Sequence, residues 1–253
     1  MMRFIQVTLT IAFLASPAAA QQSDDWQARE QAHYVACMAQ VAQRPRAAFD
    51  DATAWEGLGG GHPARHCALA ALMELGQYNE AAQGLEKLAD EAHGDAAFKA
   101  KLLVQAARAW IAAEQPGQAR AVADAALILS PDAPDVLQVR ARALALLGAY
   151  WEAADDLSRV LYSDPKNVEA LVLRGAAYRQ LDASELALDD LNRALTLDPT
   201  NAEGLLERGN THRLLGNKAA ARADWRILIA SAPDSEAARL AATNLHTLDS
   251  GVE

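Results

Sequence analysis

Four prolines recur at intervals of 34 residues, at Pro131, Pro165, Pro199 and Pro233, and each follows a helical pattern of apolar residues. A fixed period of this length indicates repeated supersecondary units, none of which buries its apolar face alone. Windows that end two residues after each proline cover 100–133, 134–167, 168–201 and 202–235, and a weaker window at 62–95 fits the same register. The period therefore predicts a stack of repeats.

Small residues occupy two columns of these windows. The twentieth position is alanine in all five windows, and the eighth is alanine or glycine in four of them, with Leu69 as the exception. The fifteenth position is glycine in three windows, where a left-handed residue would end the first helix, and Glu114 and Asp182 stand there in the other two. Each window is predicted to form two antiparallel helices joined by a tight turn.

This pattern resembles the tetratricopeptide repeat, most clearly in the segments LLGAYWEAADDL and LRGAAYRQLDASELALDDLNRALTLDP. The resemblance covers residues 62–235 and implies an all-α fold, a right-handed α-solenoid of about five helix-turn-helix repeats. Composition agrees, because the chain is 51% hydrophobic but only 6% aromatic, which favours helices rich in alanine and leucine.

Both ends of a repeat stack need a cap. Residues 21–61 are predicted to contain a helical hairpin that is broken near Pro45 and anchored by Trp55. Residues 236–253 are predicted to form a capping helix and a tail, with Leu240, Ala241 and Leu245 facing inward.

The first 20 residues are interpreted as a signal peptide. A short basic start precedes an apolar run from Phe4 to Ala15, and small residues up to Ala20 suit cleavage after Ala20. The alternatives are a buried first helix or a membrane anchor, but the run is shorter than the roughly 20 residues that a spanning helix needs. Gln21 is not a cysteine, so no lipid anchor is implied. The prediction is export to the soluble bacterial periplasm.

Export favours a disulfide between the two cysteines, because disulfides persist in oxidising compartments. Cys37 and Cys67 are predicted to form one bond that ties the N-terminal hairpin to the first repeat helix. The alternative is two buried free thiols.

No catalytic signature is present, since the chain lacks an HExxH, a GxSxG, a Walker loop and a dinucleotide fingerprint. The best metal candidate is His62, His66 and Cys67, but Pro63 places His62 before the helix and Cys67 is expected in the disulfide. The prediction is therefore no enzyme, no metal and no cofactor. The net charge of −10 works against binding of nucleic acid.

Charges covary between two columns of the repeats. Positions 7 and 23 of the last three windows pair Arg140 with Asp156, Arg174 with Asp190 and Arg208 with Asp224. The two earlier windows have Ala68 with Gly84 and Ala106 with Val122 at these positions. The hypothesis is a repeated ion pair between the two helices, within a repeat or across to its neighbour. The alternative is a set of solvated charges inherited by duplication.

In proteins that this chain resembles, the first helix of each repeat lines a concave groove. The corresponding positions here carry cationic, polar and apolar residues: Lys101, Val104, Arg108, Ile111, Gln138, Arg142, Leu146, Val172, Arg179, Leu206, Asn210, Arg213 and Leu214. Arginine suits bidentate contacts with carboxylates. The hypothesis is recognition of an acidic or C-terminal protein segment. The alternative is neutralisation of the arginines by Asp135, Glu169 and Glu203 on the same face.

The sequence therefore favours a non-catalytic periplasmic adaptor or scaffold that binds a protein or peptide segment in its groove, without membrane insertion. Two other classes stay open: a self-assembling structural envelope protein, and a metal-dependent enzyme that uses the His62 and His66 region. The identity of the partner and the oligomeric state are not determined by one sequence.

Overall fold

The computed structural model describes residues 17–93 and 95–250. Most of the predicted signal peptide, residues 1–16, lies outside the described residues, as do residues 251–253 of the predicted tail. The described residues form α-helices joined by short turns. The helices are α1 (Pro17–Val41), α2 (Pro45–Gly57), α3 (Gly61–Glu74), α4 (Tyr78–Glu91), α5 (Ala96–Ala112), α6 (Pro116–Leu129), α7 (Pro134–Leu146), α8 (Tyr150–Ser163), α9 (Val168–Gln180), α10 (Ser184–Leu197), α11 (Ala202–Leu214), α12 (Lys218–Ser231) and α13 (Glu236–Ser250). The all-α prediction is confirmed.

The helices group into two units, one ending at Leu75 and the other beginning at Gly76. In the first unit, α1, α2 and α3 surround a small apolar core that contains Ala48, Ala52 and Ala71. Cys37 on α1 and Cys67 on α3 form the predicted disulfide, with their Cα atoms 6.3 Å apart. The break before Pro45 and the buried Trp55 are also as predicted.

In the second unit, four helical hairpins follow α4: α5 with α6, α7 with α8, α9 with α10 and α11 with α12. Their turns use a left-handed residue at the fifteenth position of each window. Gly148 and Gly216 adopt it freely, with φ of 78° and 76°. Glu114 and Asp182 adopt it as well, both with φ of 58°. The repeat imposes this backbone shape even where the sequence departs from glycine.

Close helix contact inside each hairpin explains the small-residue columns. The alanines at the twentieth position of the four hairpins are fully buried: Ala119, Ala153, Ala187 and Ala221. Ala81 on α4 is fully buried as well. A Cβ atom on Gly209 would lie 2.4 Å from Nε1 of Trp225, and one on Gly175 would lie 2.7 Å from Cγ of Leu191. The eighth position therefore has no side chain where the twenty-fourth is Trp225 or Leu191, because a close-packed interior leaves no room for both.

The predicted Arg–Asp pairs are confirmed, and each lies within one repeat. Nε and Nη2 of Arg174 donate to the two carboxylate oxygens of Asp190, at 2.7 and 2.8 Å. Arg140 and Arg208 bind Asp156 and Asp224 in the same fork geometry. All three carboxylates are buried. The hydrogen bond to Asp190 raises the pKa of Arg174, so the guanidinium stays charged.

The remaining nitrogen of each arginine links its repeat to the preceding one. Nη1 of Arg140 donates to Asp124 at 3.1 Å, Nη1 of Arg174 to Ser158 at 3.0 Å and Nη1 of Arg208 to Asn192 at 3.1 Å. The three acceptors share the twenty-fifth position of the preceding window. One side chain therefore fixes both the hairpin angle and the register of two neighbouring repeats.

Helix α13 packs against α11 and α12 as the predicted cap. Ala238, Ala241 and Leu248 are buried and Leu245 is partly buried, which is a spacing of three to four residues along one helix face. The prediction for Leu240 was wrong: its side chain is exposed, because it lies about 100° around the helix from Ala241.

Candidate functional site

The first helices of the repeats, α5, α7, α9 and α11, contact one another in order and carry the residues predicted to line a groove. A cavity of about 330 Å³ opens where α5, α7 and α9 meet. We call it the arginine pocket; it is lined by Arg108, Ile111, Gln138, Val139, Arg142 and Glu169. Four of these six residues were predicted as groove residues from their repeat positions.

A second cavity of about 490 Å³ adjoins it on the side of α11. We call it the carboxylate pocket; it shares Arg142 and Glu169 with the first and adds Val168, Val172, Asp198, Asn201, Ala202 and Glu203. Val172 is the predicted groove residue found here. The two pockets thus form a continuous surface around Arg142.

Ion pairs divide the groove cations into two groups. Arg179 donates through Nε to Glu207 at 2.7 Å, and Arg142 lies 3.5 Å from Glu169 and 3.8 Å from Glu203. Among the described residues, Lys101, Arg108 and Arg213 have no ionic partner, and their side chains are exposed. Neutralisation from the same face is therefore partial, and Arg108 is a cation of the arginine pocket that no carboxylate of the described residues neutralises.

The other predicted groove residues lie outside both pockets. Val104 and Leu206 are buried, while Leu146 is exposed at the end of α7. Asn210 accepts a hydrogen bond from Asn244 on the capping helix, at 2.9 Å. Lys101, Arg179, Arg213 and Leu214 also lie outside the pockets. All of these residues remain predictions as ligand contacts.

Sequence reasoning missed Glu207 and five residues that line the pockets: Val139, Val168, Asp198, Asn201 and Ala202. Glu207 neutralises Arg179, Val139 lines the arginine pocket, and Asp198 adds charge to the carboxylate pocket. Glu207 and Val139 both occupy the sixth position of a first helix. The sixth position carries no common residue type across the windows, and which neighbour its side chain reaches depends on how two repeats stack.

The first unit does not assemble the alternative metal site. Cys67 is consumed by the disulfide, and Nδ1 of His66 lies 2.8 Å from the hydroxyl of Tyr34. Burial raises the pKa of that tyrosine, so it stays protonated. Within residues 17–93 and 95–250, no three His, Cys, Asp or Glu side chains converge in a way that would hold a metal ion.

Within the described residues 17–93 and 95–250, no helix combines the length and the apolar character that crossing a bilayer requires.

Comparisons with known proteins agree with this architecture. Residues 168–201 match the family model of the tetratricopeptide repeat. A search of curated proteins finds no match to the sequence.

Solved structures with the same fold were also found. A thermophilic TPR protein of Thermus thermophilus superposes with a TM-score of 0.62 at 20% identity, over 74% of this chain and 100% of that one. MamA from Desulfovibrio magneticus RS-1, from residue 41 to its end, gives 0.58 at 19% identity, over 69% and 97%. YrrB, a TPR protein with an unusual peptide-binding site, gives 0.53 at 18% identity, over 76% and 96%. At such identities the likeness concerns the fold.

Proposed function

This chain is built of tetratricopeptide repeats, and from that premise we propose that it is a non-catalytic adaptor that binds a protein or peptide segment on its first helices. The proposal includes an acidic or C-terminal segment as the ligand and the bacterial periplasm as the location. The N-terminal sequence supports export, and the disulfide between Cys37 and Cys67 suits an oxidising compartment.

The observation that carries the proposal is Arg108 in the arginine pocket. Its guanidinium is exposed and has no ionic partner among the described residues, and it faces the same cavity as Arg142. Two guanidinium groups on a preorganised surface suit a carboxylate, which accepts paired hydrogen bonds from such donors. Ile111 and Val139 add an apolar wall on which a neighbouring side chain of the ligand packs.

The similarity of the fold to YrrB supports a peptide as the ligand. YrrB shares the fold and is described as having a peptide-binding site. Helices that are already ordered lower the entropic cost of binding, because only the peptide has to be immobilised.

The test is crosslinked affinity capture from an envelope extract with the mature protein as bait. The variant is Arg108→Glu, which breaks no internal ion pair among the described residues. The matched control is Arg226→Glu, because Arg226 is also exposed without an ionic partner but lies on a second helix, α12. We expect one partner to be lost with Arg108→Glu and retained with Arg226→Glu. Equal capture by all three baits would contradict the proposed site.

Self-association is the second candidate, favoured by a specific observation on the second helices. Ile128 on α6 and Tyr162 on α8 are almost fully exposed and occupy the same repeat position. The same position in neighbouring repeats lies on one face of the stack, and a contiguous apolar patch on such a face marks a contact surface. Sedimentation velocity at several concentrations tests this: a concentration-dependent dimer that Tyr162→Ser abolishes supports it, and a monomer at every concentration removes it.

A further inference from the structure

The two pockets on the first helices differ in charge although they share a wall. The arginine pocket has Arg108 and Arg142 against one carboxylate, Glu169. The carboxylate pocket has the single cation Arg142 against Glu169, Asp198 and Glu203. The surface therefore changes from positive to negative over the distance of one repeat.

Arg142 lies at this boundary, and it does not occupy all the hydrogen-bond acceptor sites of Glu169 and Glu203 beside it. Its separations of 3.5 and 3.8 Å are long for charge-assisted hydrogen bonds, which are typically about 2.7 to 2.9 Å. The side chains of Arg142, Glu169 and Glu203 are 41%, 55% and 62% exposed. Glu169 and Glu203 consequently keep acceptor capacity for a second cation.

Asp198 contributes charge rather than a free acceptor. Its carboxylate accepts hydrogen bonds from the backbone and hydroxyl of Thr200 and from the side chain of Asn201, which hold the turn between α10 and α11. The turn thus fixes a negative charge at the rim of the carboxylate pocket. Glu203, which is exposed, is the group there best placed to meet a ligand.

The spacing of the pockets sets the spacing of the ligand charges. Neighbouring packed helices lie about 8 to 10 Å apart. An extended peptide advances about 3.3 Å per residue. The two pockets are displaced by one helix, which corresponds to about three residues of the bound segment. Arg108 on α5 and Glu203 on α11 are three helix spacings apart, which corresponds to at most about nine residues.

We infer that the ligand of this surface is a dipolar segment, with a carboxylate bound at Arg108 and a lysine or arginine side chain bound at Glu203, about three to nine residues apart. This inference rests on the proposed function and narrows it, because a purely acidic segment would leave the carboxylate pocket without a partner and would be repelled by Glu203. A segment with opposite charges satisfies both pockets and fixes the direction in which the chain binds.

The test is selection from a random dodecapeptide library displayed with a free C-terminus. The baits are the unmodified mature protein, Arg108→Glu and Glu203→Lys. Two matched controls carry the same reversals on second helices: Arg226→Glu on α12 and Glu152→Lys on α8, both at exposed positions without an ionic partner among the described residues. Circular dichroism melts check that all five baits are folded.

We expect the unmodified protein and both controls to enrich peptides that carry an acidic and a basic residue at the stated spacing. Arg108→Glu should lose the enrichment of acidic residues, and Glu203→Lys should lose that of basic residues. In fluorescence anisotropy with the best selected peptide, each groove reversal should weaken binding about three- to tenfold, as expected for a partly exposed charge contact.

Other outcomes separate the inference from the function on which it rests. Enrichment of acidic residues alone, or a basic content that Glu203→Lys leaves unchanged, overturns the dipolar ligand but keeps the peptide-binding function. Enrichment that neither groove variant alters overturns the site. No enrichment over empty beads overturns peptide binding itself.

Discussion

The repeat at 100–133 and the repeat at 168–201 reach the same hairpin by different chemistry. In the first, Ala106 and Val122 are buried and apolar, and α5 packs on α6 without an ion pair at these positions. In the second, Arg174 and Asp190 occupy the equivalent positions and bind through two hydrogen bonds. The hairpin itself therefore does not need the ion pair.

The difference shows what the ion pair adds. Burying two charges is costly, and apolar residues of similar volume often stabilise as well. The arginine, however, also reaches Ser158 in the preceding repeat, which an alanine cannot do. The charged version specifies how two repeats align, whereas the apolar version specifies only how two helices pack.

Arg174→Ala should have the largest effect, since among the described residues it leaves the buried Asp190 with Arg193, at 3.3 Å, as its one cationic partner. Removing one partner of a buried pair costs about 3 kcal/mol of the free energy of unfolding. The double variant Arg174→Ala with Asp190→Val copies the repeat at 100–133 and should recover all but about 1 kcal/mol. Urea denaturation followed by circular dichroism measures the free energy of unfolding of both variants. A coupling energy near zero in the full double-mutant cycle would mean that the pair is inherited by duplication and does not stabilise the fold.

Gly209→Ala should be the next largest, because its Cβ would meet the Trp225 ring. Overpacking of this kind destabilises by about 1 to 3 kcal/mol. Adding Trp225→Leu copies the repeat at 134–167, which has Ala141 and Leu157 at these positions. Thermal melts should give the double variant a higher melting temperature than Gly209→Ala alone. A lower melting temperature for the double variant would mean that the two side chains do not compete for the same volume.

Replacement of the left-handed turn residues should give a smaller, stabilising effect. Asp182→Gly relieves the strain of φ at 58°, and this gain exceeds the entropic penalty of glycine by about 0.5 kcal/mol. Gly148→Ala is the matched control, expected to destabilise by about 1 kcal/mol. Equal melting temperatures for the wild type and Asp182→Gly would indicate that aspartate forms this turn without strain.

The smallest effect concerns His212, which stands where the other repeats have Trp110, Leu144 and Tyr178. Burial lowers its pKa, Asp224 opposes that shift and Arg208 adds to it. The folded protein therefore binds this proton less readily than the unfolded chain, so the contribution of His212 to stability is present above its unfolded pKa of about 6.5 and is lost as pH falls below it.

His212→Tyr, which copies Tyr178, should reduce the loss of stability between about pH 7.5 and about pH 5.5. Urea midpoints of wild type and variant across this range give the comparison, and the difference between the two curves removes the titration of other groups. Parallel curves would show that His212 is not responsible. The effect is modest because the side chain is only partly buried.

Much of the fold was predictable because the information is local and repeated. The 34-residue period predicted the hairpins, their turns and the alanine column, and the observed helices follow that register. The Arg–Asp pairs were also visible, since both partners lie in one window. The exposure of Leu240 was not predictable, because the face that a capping helix buries depends on how it packs against α11 and α12.

The candidate site was predictable only as a set of positions. Repeat register placed Arg108, Gln138 and Arg142 on one surface, and the structure joins them in a single cavity. It also shows that Arg179 is neutralised by Glu207 while Arg108 is not. That distinction joins residues 28 positions apart in neighbouring repeats, and no single window contains both.

The sequence by itself determined the repeat, its paired helices and the position of its turns, because these follow from spacing along the chain. The pairing of Cys37 with Cys67 was a prediction that the structure confirms. Only the tertiary structure decided which cations are paired, where the two pockets open and how their charge changes from Arg108 to Glu203. The physical reason is that an ion pair depends on a few ångströms between side chains of different repeats, and stacking sets that distance.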